Sequence, residues 1–318
     1  MRSPRALPIS LSVTAAAIAE IDRSLGFTIP ARHARGRIVR LGPLVDTIAS
    51  AHAYPPAIEA LLAEALTLTA LLGAMLKDDR GQLTLQAQTE AGIVELLVCD
   101  YRAGQLRGYA KFDSDRLDEL RGERTLATLF GRGYLAITFD QATSGERYQG
   151  IVPLEGATLA EAAESYFAQS EQIPSLIRIA TRDDGVGLVA GGLLLQHLPE
   201  GEEGRERLHT RLDHPEWEHV AIMGGSIAPE ELVDRALPFD RLLWRLFNEE
   251  DEVRLLSSVA LARGCRCDPA HIRDVLTRFP AEEQRAMADE NGLISVDCAF
   301  CSSSFRVALG DLAPADDR

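Results

Sequence analysis

The chain has 318 residues, 46% of them hydrophobic and 25% charged, enough apolar material for one large domain and a smaller one. Its formal net charge of −15 repels nucleic-acid phosphates and anionic membrane surfaces, so neither is expected as a partner. Five cysteines, odd in number and clustered, do not read as a secreted disulfide scaffold; they point to a reducing compartment, and the cytoplasm is the expected location.

Residues 1–24 read as an N-terminal extension without fixed structure, because Pro8, Ser10, Ser12 and Thr14 interrupt the apolar run a targeting peptide would need. Gly36 to Leu41 alternates as a short strand, and Pro43 suits the first turn of a helix running to about Ala53. After Tyr54-Pro55-Pro56 a long apolar helix is expected to about Lys77. It carries Glu59 and Glu64, which suits a buried helix better than a membrane span. Leu83–Gln88, Ile93–Cys99 and Leu106–Phe112 follow at hairpin spacing, with Cys99 expected as a buried strand residue. One helix is expected over Leu117–Phe130, then strands over Tyr134–Phe139 and Arg147–Val152. A helix over Leu159–Ser170 leads to strands over Ser175–Ala180 and Gly187–Gln196. Strands and helices come in blocks, so the expected class is α+β: a largely antiparallel sheet core packed with helices, over residues 25–200.

Past Leu198-Pro199 the charge density rises, and residues 201–255 read as a metastable helical linker with helical fragments at Pro229–Ala236 and Asp240–Asn248. Residues 256–318 form the last unit, with helices near His271–Arg278 and Ala281–Asp289 and two short strands, Leu293–Val296 and Phe305–Leu309. So few large apolar side chains cannot bury a strong core, and such a module needs a metal to fold.

That unit holds the chain's most specific motif. Cys265 and Cys267 form C-x-C, Cys298 and Cys301 form C-x-x-C, and 30 residues separate the pairs. Four thiolates at this spacing can converge on one tetrahedral ion, and one zinc(II) per chain in the reduced state is the expected cofactor. His271, four residues after Cys267, is expected on a helix surface; His209, His214 and His219 recur every five residues and do not share a helix face. The spacing alone serves a permanent zinc ribbon as well as a redox switch. Disulfides within each pair would constrain the unfolded chain by only about 1.5–2 kcal/mol each, against nearly 4 kcal/mol (roughly) across the gap. Local pairing would leave the unit largely unfolded. No nucleophile or nucleotide-binding constellation stands out: Gly185-Val186-Gly187 and Ala190-Gly191-Gly192 lack the phosphate-loop spacing. No catalytic residue is expected, and the chain reads as a non-enzyme.

The pattern resembles the heat shock protein thirty-three family, the bacterial redox-regulated holdase chaperones, from about Gly26 to Asp311. Beside the four cysteines, the resemblance rests on Gly145-Glu146-Arg147-Tyr148-Gln149-Gly150 with Leu154-Glu155-Gly156, and on Tyr166-Phe167 before Ser170-Glu171-Gln172. It rests also on Ala190-Gly191-Gly192-Leu193-Leu194-Leu195-Gln196 and on Leu243-Trp244-Arg245-Leu246-Phe247 before Glu249-Glu250. It implies a substrate-binding core, a metastable linker, and a zinc-binding redox-switch domain ligated by Cys265, Cys267, Cys298 and Cys301. It also implies activation by peroxide or hypochlorous acid, with disulfides Cys265–Cys267 and Cys298–Cys301, loss of zinc, and unfolding of linker and tail. Unfolding client proteins would then be held without ATP under oxidative and heat stress, by a protein that is monomeric when reduced and a homodimer when oxidised. The family does not require the N-terminal extension. The competing readings are a thiol oxidoreductase, or a nucleic-acid-binding protein with a permanent structural zinc.

Overall fold

The computed structural model describes residues 20–76, 80–123, 125–141, 145–198 and 214–312. In chain order the elements are β1 (Arg23–Ile29), β2 (Ala34–Leu41), α1 (Pro43–Ala49), α2 (Pro56–Gly73), β3 (Gln82–Thr89), β4 (Val94–Arg102) and β5 (Gln105–Phe112). Then come α3 (Ser114–Glu119), α4 (Leu126–Phe130), β6 (Gly133–Asp140), β7 (Arg147–Pro153), α5 (Leu159–Tyr166), β8 (Ser175–Asp183) and β9 (Leu188–His197). The C-terminal third supplies α6 (Pro215–Gly225), α7 (Pro229–Leu232), α8 (Phe239–Phe247), β10 (Arg254–Ala260), β11 (Ala262–Arg263), α9 (Pro269–Leu276), α10 (Ala281–Met287), β12 (Leu293–Asp297) and β13 (Ser304–Ala308).

The layering follows from α2. Its Leu, Ile and Ala residues cover nearly the whole circumference, so it cannot lie at a surface, and most of its residues are buried. It lies between two sheets: one ordered β10-β1-β2-β9-β8, the other β11-β5-β4-β3-β6-β7. Alone among the described helices it is long and apolar enough to span a membrane, and here both sheets cover it. Every strand pair is antiparallel except β11 with β5. The α+β class with a largely antiparallel sheet core is therefore the observed one.

β9 reads Leu-Val-Ala-Gly-Gly-Leu-Leu-Leu without alternation because both its faces are covered. Ala190 and Leu194 face α2, whereas Leu193 and Leu195 join a second core built with α6–α8. That second core sets Trp217, Val220, Leu232, Phe239, Leu242 and Phe247 against Phe27, Ile29 and Ile38 of the sheet. Gly191 is required here: a Cβ would sit 2.1 Å from the Leu232 carbonyl oxygen.

Several expectations differ in detail. The single helix expected over Leu117–Phe130 is two short ones, since Leu120 is extended and Gly122 lies at φ +102°. Asp113 caps the first, accepting from the Arg116 amide, and a Thr125/Thr128 capping box starts the second. Residues 1–19 of the expected extension lie outside the described residues, but the extension does not run to residue 24. Asp22 accepts from the amides of Gly42 (2.8 Å) and Leu44 (3.2 Å), anchoring the start of α1, and β1 begins at Arg23. The charge-dense stretch at 199–213, including His209, likewise lies outside the described residues, as does Lys77. The expected linker–tail boundary at residue 255 falls inside β10, whose pairing with β1 ties it to the core sheet.

Candidate metal centre

The tail reaches its place by stitching itself to the second sheet. The Ala262 amide donates to the Gly104 carbonyl (3.0 Å) and that of Gly264 to Leu106 (2.9 Å), at the mouth of the β4–β5 hairpin. That hairpin turns through Ala103 and Gly104, both at positive φ (50° and 79°), as a two-residue turn between twisted strands requires. Gly264 has no room for a side chain, because a Cβ would lie 2.4 Å from Gln105. Cys265 follows at once. After Cys267, Asp268 caps α9 by accepting from the Ala270 amide (2.8 Å), with Pro269 at its first position.

The second pair sits in the turn joining β12 to β13. The Cys298 amide donates to the Ser303 carbonyl (2.9 Å), the Ser302 amide donates to the Cys298 carbonyl (2.8 Å), and Ser302 lies at φ 54°. The hairpin and α9 bury only Leu276, Ile294, Val307 and Leu312 between them, with Ile272, Ala288, Val296 and Leu309 half-buried around them. A core of four fully buried residues contributes too little to hold about fifty residues by hydrophobic burial alone.

All four sulfurs lie within 4.8 Å of one another, the one such group of potential metal ligands among the described residues. Cys265 Sγ lies 3.3 Å from Cys267 Sγ and 3.5 Å from Cys298 Sγ, and Cys267 Sγ lies 3.3 Å from Cys301 Sγ. None is disulfide-bonded. One contact across the pairs is as short as the contact within the first and the other is 3.5 Å, so the geometry favours no particular disulfide pairing. Four sulfurs about 2.3 Å from a tetrahedral zinc would stand about 3.8 Å apart, and this cluster fits that ion.

Protonation follows the crowding. Burial pushes the Cys267 and Cys298 thiols up, and hydrogen bonds with neighbouring sulfurs add to it. Burial opposes the charge of Cys301 as well, but hydrogen bonds with the Ser303 hydroxyl and amide and with neighbouring thiols hold it near 6. Four thiolates this close need a cation among them.

Each cysteine pair encloses a residue that reaches the core. Arg266, inside C-x-C, donates to Gln82 Oε1 and to Asp100 Oδ2 (3.0 Å). Phe300, inside C-x-x-C, lies under the Arg107 guanidinium (3.9 Å to the ring centroid) and edge-on to Tyr109 (5.1 Å). Asp100 is the hub: its carboxylate, 3% exposed, also accepts from Arg107 Nε (2.7 Å) and the Thr84 hydroxyl (2.6 Å). Sequence reasoning missed Arg266, Phe300, Asp100 and Arg107. Their positions inside or opposite the motif were visible, but nothing in a strand aspartate announces which arginine it will meet.

The other candidates do not converge on the cluster. His271 is exposed beside the cleft between tail and sheet, as expected of a helix-surface residue. His214 Nδ1 accepts from the Glu216 amide (3.3 Å) and His219 Nε2 pairs with Glu250 (2.7 Å). Cys99 is fully buried, and burial holds its thiol far above the usual range.

Residues 22–308 match the family model described as Hsp33 protein. The "33 kDa chaperonin" of Caulobacter vibrioides is 40% identical over 281 residues, covering 86% of this chain and 90% of that protein. The "33 kDa chaperonin" of Yersinia pestis is 35% identical over 285 residues, covering 89% and 91%. Among solved structures, the crystal structure of the 33 kDa chaperonin (heat shock protein 33 homolog) of Thermotoga maritima superposes with a TM-score of 0.72. It covers 92% of this chain and 96% of that one at 23% identity, a likeness of fold.

Proposed function

The chain belongs to the Hsp33 family, and from that premise we propose that it is a redox-regulated, ATP-independent holdase, inactive when reduced and switched on by oxidation of Cys265, Cys267, Cys298 and Cys301. One observation carries the reading: four sulfurs within 4.8 Å at the centre of a tail too small to fold by burial alone. These thiolates would hold one zinc ion, which supplies a redox-inert crosslink contributing roughly 10–16 kcal/mol of folding free energy in small peptides.

Oxidation removes the donors. Two thiols give up two electrons and two protons to one peroxide, whose O–O bond breaks to yield two waters while one S–S bond forms; two peroxides close both pairs. Cys265–Cys267 and Cys298–Cys301 are the pairs proposed. Each joins sulfurs that stay neighbours in the chain once the tail loosens, and each constrains the unfolded chain little. The tail then unfolds, the linker at 201–255 follows, and the apolar surface they covered holds unfolding client proteins in the cytoplasm. The oxidised form is a homodimer and the reduced form a monomer.

The test is aggregation of a heated client followed by light scattering. Reduced, zinc-loaded protein should leave aggregation unchanged, and peroxide-treated protein should suppress it at near-stoichiometric ratios without nucleotide. Equal activity in both states would remove the switch. Steady turnover of a disulfide substrate would replace the reading with a thiol oxidoreductase.

A further inference from the structure

Arg266 and Phe300 lie one in each cysteine pair, and both land on the same small patch of the β4–β5 ladder. In the register of those strands Asp100 pairs with Arg107 and Val98 with Tyr109, so the receiving groups are neighbours on one sheet face. Asp100 has two cationic partners, Arg107 from the core and Arg266 from the tail, at 2.6 and 3.0 Å. Arg107 closes the circuit: it bonds Asp100 at one end and lies over the Phe300 ring at the other. A third contact, the Ser302 hydroxyl with His52 Nδ1 (3.2 Å), comes from the residue after Cys301.

We propose that Arg266 and Phe300 are positioning residues for the switch, a two-pronged latch by which the geometry of the thiols holds the tail on the core sheet, with Asp100, Arg107 and Tyr109 as its receiver. The inference rests on the redox reading above and deepens it. Within C-x-C, sulfurs now 3.3 Å apart must close to about 2.05 Å, and Arg266 is the single residue spanning them. Its backbone cannot keep its present path while that small ring forms, so its guanidinium leaves a carboxylate that is nearly out of water. Phe300 is one of the two residues, with Ala299, between Cys298 and Cys301, so closing that ring also bends the backbone that carries its side chain. Sulfur chemistry at either pair is thereby converted into loss of a tail–core contact, with no need for the tail to unfold first. The two electrons from each pair go to one peroxide, which leaves as two waters.

The test uses the full-length protein, reduced and zinc-replete, with Arg266→Met, Phe300→Ala and the double variant. Both side chains are at the tail–core boundary and outside the tail's own buried cluster, so the variants should fold. Zinc content and free thiols are counted, and amide exchange is followed over 82–112 and at Ala262 and Gly264. The expected result is full zinc and five thiols, with exchange at Ala262 and Gly264 about ten-fold faster in each single variant and faster again in the double. Peroxide should also consume the thiols faster. Phe300→Tyr, which keeps the ring, should restore wild-type exchange. Unchanged exchange in the double variant overturns the latch. Zinc loss in the variants also overturns it, since the two residues would then only support the cluster. Neither readout involves client holding, so a failed aggregation assay would sink the holdase reading and leave the latch standing, and the reverse.

Discussion

Arg40 is the residue whose removal should free helices α7 and α8 while the cysteine cluster of the tail stays intact. It lies on β2 and is 1% exposed, and the hydrogen bonds of its guanidinium go to main-chain carbonyls, with Glu20 and Asp234 near enough to favour its charge. Its guanidinium donates to the carbonyls of Leu237 (2.9 Å), Leu232 (3.0 Å) and Glu231 (3.3 Å), and lies 5.0 Å from the Phe239 ring centroid. All four residues belong to the α7–α8 segment. Arg40 also pairs in register with Gly191, the glycine beneath the Leu232 carbonyl, so the segment's closest approach to the sheet and its charged clamp coincide. Arg40→Met strips three carbonyls of a donor, at about 1–3 kcal/mol for each one left buried. Relief of a buried charge and the apolar contacts of methionine offset part of that. The net local loss is about 2–4 kcal/mol, and about 3 kcal/mol corresponds to a roughly 150-fold larger open population. Native-state amide exchange across 229–247 reads this directly, with zinc content measured in parallel. Arg40→Lys, which keeps a charge but not the planar fork, should show about half the effect. Wild-type protection in Arg40→Met would refute the reasoning.

Three other outcomes follow from the geometry. Cys301→Ser removes one of four sulfurs and should lower zinc retention under a competing chelator and raise protease sensitivity beyond residue 262; full zinc with unchanged resistance would contradict the ligand assignment. Cys99 is fully buried with its thiol held up by burial, so native alkylation of the metal-stripped reduced protein should modify four cysteines, and a fifth only after unfolding. Glu64 on α2 is pushed up to about 7, first by burial, against the hydrogen bonds it accepts from the amides of Leu159 and Ala160. A carboxyl whose folded pKa exceeds its unfolded one stabilises fully below the unfolded value of about 4.5 and loses that contribution as pH rises through about 7. Urea unfolding should therefore show a loss on the order of 3 kcal/mol between pH 5 and 8 that Glu64→Gln abolishes; parallel wild-type and variant curves would contradict it.

How much of this was legible in the sequence varied with the range of the signal. α2 declared itself by an apolar run too rich in buried-type residues to face water, and β3–β5 by alternation between turn residues. The four cysteines could be assigned to one site because ligand spacing is local. What escaped depends on partners distant in the chain. β10 shows no burial pattern, since nearly all its side chains are exposed, and is a strand only because β1 offers it an edge. Arg266 and Phe300 could not be told from filler between ligands, as their roles are set by Asp100 and Arg107, more than 150 residues away. α6 lay at the edge of a stretch dominated by charge, which hid Trp217 and Val220.

The path between tail and linker explains why losing one should endanger the other. From the end of α8 at Phe247 to Cys265 the chain passes through β10, which buries no side chain fully and has β1 as its one strand partner among the described residues. Its far end is fixed by the Leu261 amide on the Asp22 carbonyl (2.8 Å) and by β11 on the second sheet. A tail that leaves takes β11 with it, and β10 becomes an unsupported edge strand. The helices upstream have little stability of their own: α6, α7 and α8 have eleven, four and nine residues, shorter than a helix that persists alone in water. They are helical because they are docked. In α8 the docking face is Phe239, Leu242, Leu243, Leu246 and Phe247, whose Phe247 ring meets Phe27 of β1 at 5.9 Å. β1 is the strand that β10 flanks, so fraying begins next to the contact that keeps α8 in place. Undocking there bares two complementary apolar surfaces together, one on the helices and one on the sheet, and the cost of that exposure in water sets how firmly the helices stay docked.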